Sequence, residues 1–574
     1  MIIVGLSAFG QNPGACLLRD GRLIAFAEEE RFVRIKGANL RFPSKAVAYC
    51  LREAGITLDQ VDRFAVGWNA EKYRFKMPLF FTKQFFKNFG AASDGSVVQI
   101  LAEIANQQPK AIIRRTTLAL REEGLTGRIP EFAFFDHHLA HAASTFYASG
   151  FEESSILIVD GSGEDRSTSF YSGKGLTIQD QGHVEFPDSL GWFYAAVTSF
   201  LGFRAYEEEG FTMGLAPYGK PSAEWRDKMA KLVRFEANGL YSVDPRYTLL
   251  GKHSTNEHFA DELTTLLGAP RFPKDPFTQV HKDIALAAQE RLEQAVLRLV
   301  KRVVDQTGSR KLCVAGGVTM NCKMTGVIGA SGLVDGLFVQ PAAHDSGTAL
   351  GAAMLASVQS GEDPRFAMNT AQWGPGYTSA EVEKVANTTG MKFERPDSIG
   401  EKTAEALAQG KVVAWFNGRM EVGPRALGGR SILANPTIPG MNDRVNRDVK
   451  FRDAWRPFCP SMLDSAATTY LEPSLETRFM TVAAQANRRG LAEIPAVIHV
   501  DGSTRPQAIN TTSHPAYAGM ITSFAERSGV PVVMNTSLNV KGEPIACTPM
   551  DALRCFYSSG IDAIALEDLW LSKD

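Results

Sequence analysis

Residues 134–165 read FFDHHLAHAASTFYASGFEESSILIVDGSGED, and this stretch decides the fold. If HHLAHAAS is helical, His137 and His141 lie one turn apart on one face, because positions four apart stack on a helix surface. Two imidazoles so placed can bind one metal ion. The segment SILIVDGSGED is typical of a buried strand that ends in Asp160 and a glycine-rich turn, where a carboxylate stands beside exposed backbone N–H groups. The stretch therefore predicts a site for a metal-bound nucleotide phosphate.

A second interpretation of these residues is open, namely ordinary histidines at the start of a helix with Asp160 as a turn residue. Any one of the three residues fits that interpretation well. A further buried strand, GLFVQPAAHD, ends in Asp345 and brings another carboxylate to a strand end. In α/β sheets ligands gather at such ends. The full set of His137, His141, Asp160 and Asp345 favours the metal site.

The composition is that of a globular protein with several domains. A chain of 574 residues is too long to fold around one hydrophobic core, and the usual domain size predicts about two to four domains. A formal net charge of −2 argues against a nucleic-acid or membrane-surface partner. No apolar run reaches the length of a membrane span, so we expect a cytoplasmic protein. The seven cysteines lack CxxC spacing, which argues against a disulfide framework or a zinc ribbon.

The chain opens twice in the same way. Residues 2–32 predict strand, turn, strand, turn, strand, and residues 155–178 repeat that order. Two copies of one opening resemble the duplicated architecture of the actin, sugar-kinase and heat-shock ATPase (ASKHA) superfamily, where nucleotide lies in the cleft between the copies. A long amphipathic helix over residues 284–306 that stops at Gly308 fits this architecture.

We expect a duplicated ASKHA-type α/β domain over residues 1–360, a connector over residues 361–400 and a second α/β domain over residues 401–574. The connector is rich in Gly, Pro and Thr and holds one predicted helix, SAEVEKVANTTG. The second domain opens with the helix EKTAEALAQG and the strand KVVAWFNG. Its last segment is a candidate to pack back on the first domain.

Residues 417–460 are crowded with cations. Arginine forks bind phosphate and carboxylate oxygens bidentately, so this density in a nearly neutral chain predicts bound anions. The other interpretation is a solvated basic face with internal ion pairs, but interleaved aromatic residues such as Trp415 and Trp455 favour a walled pocket. The cations are Arg419, Arg425, Arg430, Arg444, Arg447, Lys450, Arg452 and Arg456, with Arg505 further on.

Several long motifs, in the same order along the chain, resemble the NodU/CmcH-type O-carbamoyltransferase family, which includes the enzyme that carbamoylates tobramycin. They are FAEEERF, DHHLAHAAS, VDGSGE, MGLAPYG, AGGVTMN, HDSGTALGAA, GPRALGGRSILA, VKFRDAWRPF, TRPQ and NTSLNVKGEPIACTP. The resemblance implies an N-terminal ASKHA domain similar to the tRNA threonylcarbamoyl-transferring ATPases. It also implies a C-terminal domain similar to YrdC-type carbamoyl-adenylate synthases.

The same resemblance implies a two-step reaction that serves antibiotic or other secondary-metabolite biosynthesis. Carbamoyl phosphate and Mg-ATP would give carbamoyl adenylate and pyrophosphate in the C-terminal domain. The N-terminal domain would then pass the carbamoyl group to a hydroxyl of a small metabolite and release AMP. Joining two polyanions needs their repulsion neutralised, which the Arg/Lys cluster can do by positioning and electrostatics.

Site residues carry over from the family motif by motif. The metal ligands would be His137, His141, Asp160 and Asp345, and the family favours iron(II), although the ligand set alone also admits zinc or manganese. The adenylate would contact Gly317 and Asn321. Carbamoyl phosphate and the ATP phosphates would contact Arg425, Lys450, Arg456, Arg505, Asn535 and Ser537. The expected catalytic residues are His137, His141, Asp160, Arg425, Lys450 and Arg456.

The acceptor side departs from the family pattern. Where tobramycin-type enzymes carry a His-Asp pair, this chain has Gln11 and Asn12, and an amide cannot take a proton from an alcohol. Either another group acts as base, such as a metal-bound hydroxide or the acceptor's own amine, or the acceptor pocket differs. Phe211 also stands where many relatives have Lys. We expect Gln11 and Lys36 to line the acceptor pocket.

Two other functions stay open on the sequence alone. One is carbamoylation of tRNA or of a base in DNA, against which the nearly neutral charge argues. The other is a non-catalytic nucleotide-binding regulator, against which the intact metal and Arg/Lys motifs argue. We expect carbamoyl phosphate, ATP and a small hydroxyl acceptor as partners, no membrane, and a homodimer as one candidate assembly.

Overall fold

The structure is a computed structural model and describes residues 1–87, 101–248 and 259–573. The chain divides into two compact units. The first comprises Met1–Ile24 and Asn39–Ala367, and the second comprises Ala25–Ala38 and Met368–Asp574. None of the helices in the described ranges combines the length and the hydropathy that a membrane crossing requires.

The first unit contains two five-stranded sheets and a small antiparallel pair. Their central strands are apolar and fully buried, as expected for strands covered on both faces. The strands are β1 (Ile2–Ser7), β2 (Gly14–Arg19), β3 (Arg22–Glu28), β4 (Arg63–Val66), β5 (Glu131–Phe134), β6 (Glu153–Gly163), β7 (Arg166–Lys174), β8 (Thr177–Glu185), β9 (Val233–Phe235), β10 (Tyr241–Val243), β11 (Lys311–Ala315) and β12 (Gly336–Val339).

The two large sheets have the same topology. The first has the order β3-β2-β1-β4-β5, and the second has the order β8-β7-β6-β11-β12. In the first sheet, β1 pairs antiparallel with β2 and parallel with β4. In the second sheet, β6 pairs antiparallel with β7 and parallel with β11. The duplication predicted from the two openings is therefore confirmed, and with it the ASKHA-type fold of this unit.

Helices cover both sheets of the first unit. The long helix ends at Gly308 as predicted, where a positive φ of 75° gives the left-handed C-cap that glycine favours. The α-helices described are Ser44–Glu53, Lys76–Lys87, Pro109–Glu122, His137–Phe146, Leu190–Phe200, Glu209–Leu215, Ala223–Leu232, Asp261–Leu267, Gln279–Thr307, Cys322–Ala330 and Ser346–Gln359.

Two of these helices approach so closely that only glycine, which has no side chain, fits at the point of contact. The histidine helix (His137–Phe146) lies against the helix Ser346–Gln359, and a Cβ atom added at Gly351 would collide with the backbone oxygen of Ala140. On its other side the helix Ser346–Gln359 meets β1 at Gly5, where an added Cβ would collide with Ala349. Glycine at these positions therefore sets how close the histidine helix comes to the second sheet's strand ends.

The second unit is built on one mixed seven-stranded sheet with the order β18-β15-β19-β14-β13-β20-β21. The strands of the unit are β13 (Val413–Phe416), β14 (Arg430–Ala434), β15 (Cys459–Leu463), β16 (Ala484–Gln485), β17 (Ser503–Thr504), β18 (Gln507–Ile509), β19 (Val532–Ser537), β20 (Ala563–Leu566) and β21 (Leu569–Ser572). Among them, β16 and β17 form a separate two-stranded sheet. Its described α-helices are Glu29–Val33, Ser379–Thr388, Ile399–Ala408, Met441–Arg444, Ala467–Tyr470, Arg488–Glu493, Pro515–Ser528 and Pro549–Tyr557.

Successive side chains of β13 point to opposite faces of the sheet, and each face is covered by its own apolar core. Val413 and Trp415 face one apolar cluster, and Ala414 and Phe416 face the other, as the period of two in a strand requires. The α/β class predicted for the C-terminal part is thereby confirmed. The helix Ser379–Thr388, which falls in the predicted connector, buries Val382 and Ala386 in one of these cores.

The close approach at Gly351 generates a stability prediction. Gly351→Ala should lower the free energy of unfolding by about 1–3 kcal/mol, because the added methyl group meets a packed backbone that has little room to move. Thermal unfolding followed by circular dichroism measures the effect.

Gly519→Ala is the matched control. Gly519 lies in the exposed face of the helix Pro515–Ser528, where an added Cβ meets nothing within 4 Å. This change should raise the free energy of unfolding by up to about 1 kcal/mol. Equal melting temperatures for Gly351→Ala and the wild type would show that the two helices do not pack as described.

Candidate active site

Four potential metal ligands converge in the first unit. Two come from the histidine helix, one from the end of β6 and one from the residue that precedes the helix Ser346–Gln359. Their ligand atoms all lie within 4.8 Å of one another. They are the predicted set His137, His141, Asp160 and Asp345.

Asp160 lies at the centre of this group. Its Oδ2 atom is 3.2 Å from His137 Nε2 and 3.3 Å from His141 Nε2. Asp345 Oδ1 lies 3.8 Å from His137 Nε2. The β6–β7 register shifts between Val159 and Gly163, so Asp160 follows the last regularly paired residue at a bulge. Bulges of this kind re-aim side chains beside active sites.

Backbone groups orient the ligands from outside the cluster. Gly67 O lies 2.9 Å from His137 Nδ1, which therefore donates and leaves Nε2 directed at Asp160. Asp160 Oδ1 accepts hydrogen bonds from the backbone N–H groups of Gly161 at 2.8 Å and Gly317 at 3.0 Å. One carboxylate oxygen is thus fixed by the backbone, and the other faces the imidazoles.

The electrostatics of the cluster are those of a cation site. Burial would lower the pKa of His137, but the Asp160 and Asp345 carboxylates raise it to about 9. Burial lowers the pKa of His141 and raises that of Asp345. Burial would also raise the pKa of Asp160, yet the two imidazoles hold it well below its ordinary value. The carboxylates that favour positive charge on His137 would favour a divalent ion beside it for the same reason.

The unpaired atoms of the cluster fit a metal ion. Both ring nitrogens of His141 are buried without a hydrogen-bond partner, because the 3.3 Å approach of Nε2 to Asp160 forms no hydrogen bond. Asp345 starts a helix, yet its side chain makes no capping hydrogen bond. Buried polar atoms are costly when unpaired. A divalent ion bound by two imidazoles and two carboxylates would satisfy both residues.

The other predicted residues of the first unit fall into two groups. Gly317 contacts the cluster directly through its N–H bond to Asp160. Asn321 is tied to protein groups, since its Oδ1 caps the helix Cys322–Ala330 through Met324 N and its amide exchanges hydrogen bonds with Gln289. Gln11 lies in the turn between β1 and β2, beside Asn12 with a φ of 42°. Contact of Asn321 or Gln11 with substrate stays a prediction.

Four predicted cations of the second unit lie close enough to influence one another's charge. Lys450 is 5% exposed, and its ammonium group donates to the backbone oxygens of Ser537 at 2.9 Å and Asn539 at 2.7 Å. Burial, followed by the charges of Arg452 and Arg456, holds the pKa of Lys450 well below its ordinary value. Burial and the charges of Arg456 and Arg505 lower the pKa of Arg452 to about 9. We call Lys450, Arg452, Arg456 and Arg505 the cation cluster.

The predicted amide and hydroxyl groups lie on β19 beside this cluster. Asn535 is 1% exposed and donates to Ala426 O and to Ser461 Oγ, while its Oδ1 atom has no partner among the described residues. Ser537 Oγ donates to Asn539 Oδ1 at 2.7 Å and lies 3.4 Å from Lys450 Nζ. Arg425 lies in the loop between β13 and β14, one residue before Ala426.

Several other arginines of the crowded stretch have structural partners. Arg430 is fully buried, donates to Gly418 O and Pro375 O, and stacks on the Phe416 ring at 3.6 Å. Arg444 forms an ion pair with Asp562, and Arg447 pairs with Asp448 at the surface. Internal ion pairs therefore account for Arg444 and Arg447, whereas Arg430 is held by backbone oxygens and an aromatic ring.

Sequence reasoning missed some polar partners of the site. Glu164 accepts from the backbone N–H of His137 and so caps the histidine helix. Gln507 accepts from Ser461 Oγ at 2.6 Å and donates to Leu427 O. Glu164 and Gln507 lie inside the motifs VDGSGED and TRPQ, which was the available signal, but their roles depend on partners distant in sequence.

Comparison with known families identifies the chain. The first unit holds the His/Asp cluster, and the second unit holds the cation cluster. The family model described as Carbamoyltransferase N-terminus matches residues 2–354, and that described as Carbamoyltransferase C-terminus matches residues 404–573. The chain belongs to the carbamoyltransferase family and is a transferase enzyme.

Individual relatives match over nearly the full chain. Nodulation protein NolNO of Sinorhizobium fredii is 35% identical over 579 residues, which cover 99% of this chain and 80% of that protein. Uncharacterized protein sll1178 of Synechocystis is 35% identical over 609 residues, which cover 100% and 96%. Among solved structures, a ROK hexokinase from Thermus thermophilus aligns at 15% identity with a TM-score of 0.29, covering 63% of this chain and 99% of the hexokinase. A TM-score this low supports no inference about function.

The ligand cluster generates a metal-binding prediction. The wild-type protein should bind one divalent ion per chain, and Asp160→Asn should lower the affinity at least about tenfold, because the central ligand loses its charge. Isothermal titration with Mn²⁺ or Zn²⁺ measures the binding directly.

His138→Gln is the control for this measurement. His138 is buried beside the cluster but bonds Ser169 through Nδ1 and lies outside the ligand set. It should leave the ion affinity near that of the wild type. Equal losses in both variants would show that the four side chains are not the ligands.

Proposed function

We propose that this carbamoyltransferase makes carbamoyl adenylate from carbamoyl phosphate and ATP in its second unit. Its first unit then transfers the carbamoyl group to a hydroxyl of a small secondary metabolite. The observation that supports this proposal best is the cation cluster, where the buried Lys450 ammonium group donates to the backbone oxygens of Ser537 and Asn539 and the nearby arginine charges help to hold its pKa below the ordinary value. Such a cluster favours phosphate oxygens as ligands.

The equation of the first step balances only when water is one of the reactants. The bridging oxygen of carbamoyl phosphate already carries a phosphoryl group, which must pass to water as inorganic phosphate. The carbamate that remains attacks the α-phosphorus of ATP through an oxygen, and the bond to pyrophosphate breaks. The products are carbamoyl adenylate, pyrophosphate and inorganic phosphate.

The side chains of the second unit serve this step by binding and positioning. Lys450 and Arg456 neutralise the charges that repel the two substrates, so little covalent chemistry is asked of the protein. The unpaired Oδ1 atom of Asn535 is a buried acceptor that suits the N–H₂ group of the carbamoyl moiety. Ser461 and Gln507 hold the Asn535 amide in place from the other side.

The second step takes place in the first unit. The acceptor oxygen attacks the carbamoyl carbon, the bond to the AMP oxygen breaks, and the alcohol's proton passes to the acceptor's own amine or to water. A divalent ion bound by the His/Asp cluster would polarise a carbonyl or phosphate oxygen, which allows a weak alcohol nucleophile to react. Gly317 N–H fixes Asp160, and Gly67 O fixes His137, so both ligands are oriented before substrate arrives. We favour iron(II), with zinc and manganese as alternatives.

Two substitutions separate the half-reactions. Arg456→Ala should reduce pyrophosphate release at least about a hundredfold, because a cation next to the developing negative charge is lost. His141→Ala should leave pyrophosphate release near the wild-type rate and stop product formation, because it removes a ligand from the other unit. Phosphate and pyrophosphate assays, with mass spectrometry of cell metabolites for an added carbamoyl group, measure both steps.

Arg447→Ala is the control for loss of an arginine in the same stretch. Arg447 is an exposed residue paired with Asp448 and should be dispensable for either step. If Arg456→Ala and His141→Ala impair the same half-reaction, the assignment of the two steps to two units is wrong.

A further inference from the structure

Residues Ala25–Ala38 belong to the second unit although they lie near the N-terminus. We call this segment the arm. Its backbone enters the second unit at Phe26, which is fully buried and donates its N–H to Trp373 O at 3.2 Å. The arm ends in a tight turn, in which Gly37 N donates to Glu30 Oε2 and Ala38 N donates to Ile35 O.

The arm holds the loop that carries Arg425. Gly423 N donates to Glu28 Oε2 at 3.2 Å, and Arg31 Nη2 donates to Gly423 O at 2.6 Å. Arg31 is 1% exposed and forms ion pairs with Glu28 at 2.9 Å and Glu30 at 3.1 Å. A buried ion pair that also bonds both polar groups of one residue fixes that residue's position. Gly423 lies two residues before Arg425.

The arm also holds the loop that supports Lys450. Arg34 donates to Ile545 O at 2.6 Å and to Pro544 O at 2.9 Å, and its Nε atom lies 3.4 Å from Asp551. These contacts anchor the end of the segment 535–545. Asn539, in the middle of that segment, accepts two hydrogen bonds from Lys450 Nζ. Both loops beside the cation cluster are therefore attached to the arm.

Lys36 projects from the turn at the end of the arm. Its side chain is exposed, and no carboxylate lies within 4 Å of its ammonium group in the part of the chain that the structure describes. Its positive charge is one of those that lower the pKa of Lys450, after burial, Arg452 and Arg456. Lys36 lies two residues after Arg34, which holds the segment 535–545 that bonds Lys450, so its exposed ammonium group is placed near the cation cluster.

We infer that the arm is part of the anion-binding site of the second unit and that Lys36 binds a phosphate group there. The ligand chemistry is a phosphate of carbamoyl phosphate or of the pyrophosphate portion of ATP. This assignment rests on the proposed function and changes the expected role of Lys36, which the sequence alone placed in the acceptor pocket. An exposed lysine can follow a phosphate as a mobile point charge, whereas the buried Lys450 is fixed.

The test is isothermal titration of the full-length protein with carbamoyl phosphate and, separately, with inorganic pyrophosphate. Lys36→Ala should raise the Kd of at least one of these anions about tenfold at low ionic strength, because one charge-assisted hydrogen bond is lost. The anion whose Kd changes identifies the phosphate that Lys36 binds. The salt dependence of that Kd should also weaken, which a purely structural role would not cause.

Two variants make the result interpretable. Lys36→Arg should restore most of the affinity, and Lys384→Ala, which removes another exposed lysine of the second unit from the helix Ser379–Thr388, should have no effect. Wild-type affinities for both anions in Lys36→Ala would overturn the inference and leave the proposed function standing. A wild-type protein that binds neither anion and releases no pyrophosphate would overturn both.

Discussion

Mutual repulsion of buried positive charges is the constraint on which the second unit depends. Lys450 is buried, and the charges of Arg452 and Arg456 lower its tendency to hold a proton, while the charge of Arg456 has the same effect on Arg452. Charges are removed from water at a cost of several kcal/mol unless a partner compensates. The backbone oxygens of Ser537 and Asn539 hold the Lys450 ammonium group, but they carry only partial charges. Under the proposed function, a phosphate of the substrate would bring negative charge to this cluster.

The first unit shows the opposite arrangement. Two carboxylates, Asp160 and Asp345, converge on two imidazoles, and the cluster depends on the close contact of two helices at Gly351. This contact brings the histidine helix to the strand end that carries Asp160. The first unit therefore presents a cluster of potential metal ligands in its ASKHA-type fold, while the second unit presents the cation cluster. Opposite electrostatics in the two units suit a reaction in which one site activates a group and the other transfers it.

The local sequence pattern was enough to predict which residues form the His/Asp cluster. The spacing of His137 and His141 requires only helix geometry, and Asp160 follows a strand that its apolar residues identify. The duplication was visible because both copies open with the same order of strands and turns. In the cation stretch, by contrast, composition could not separate Arg430, which stacks on Phe416, from Arg456, which joins the cluster. That difference depends on tertiary partners.

The arm could not be predicted for the same reason. The sequence of residues 2–32 predicts three strands of the first domain, and nothing local indicates that Arg31 bonds Gly423. The contact joins positions 392 residues apart. Likewise, Asn321 matches a family motif, yet its side chain is occupied by Gln289 and Met324. Motif identity predicts which residue is present, and only the fold shows what that residue contacts.

The most direct measurement is ³¹P NMR of the wild-type protein mixed with carbamoyl phosphate, ATP and a divalent ion. Activation through carbamoyl adenylate requires pyrophosphate and inorganic phosphate to form in equal amounts, with AMP appearing as the carbamoyl group is transferred or lost to water. Formation of ADP, or consumption of carbamoyl phosphate while ATP stays intact, would contradict activation through carbamoyl adenylate.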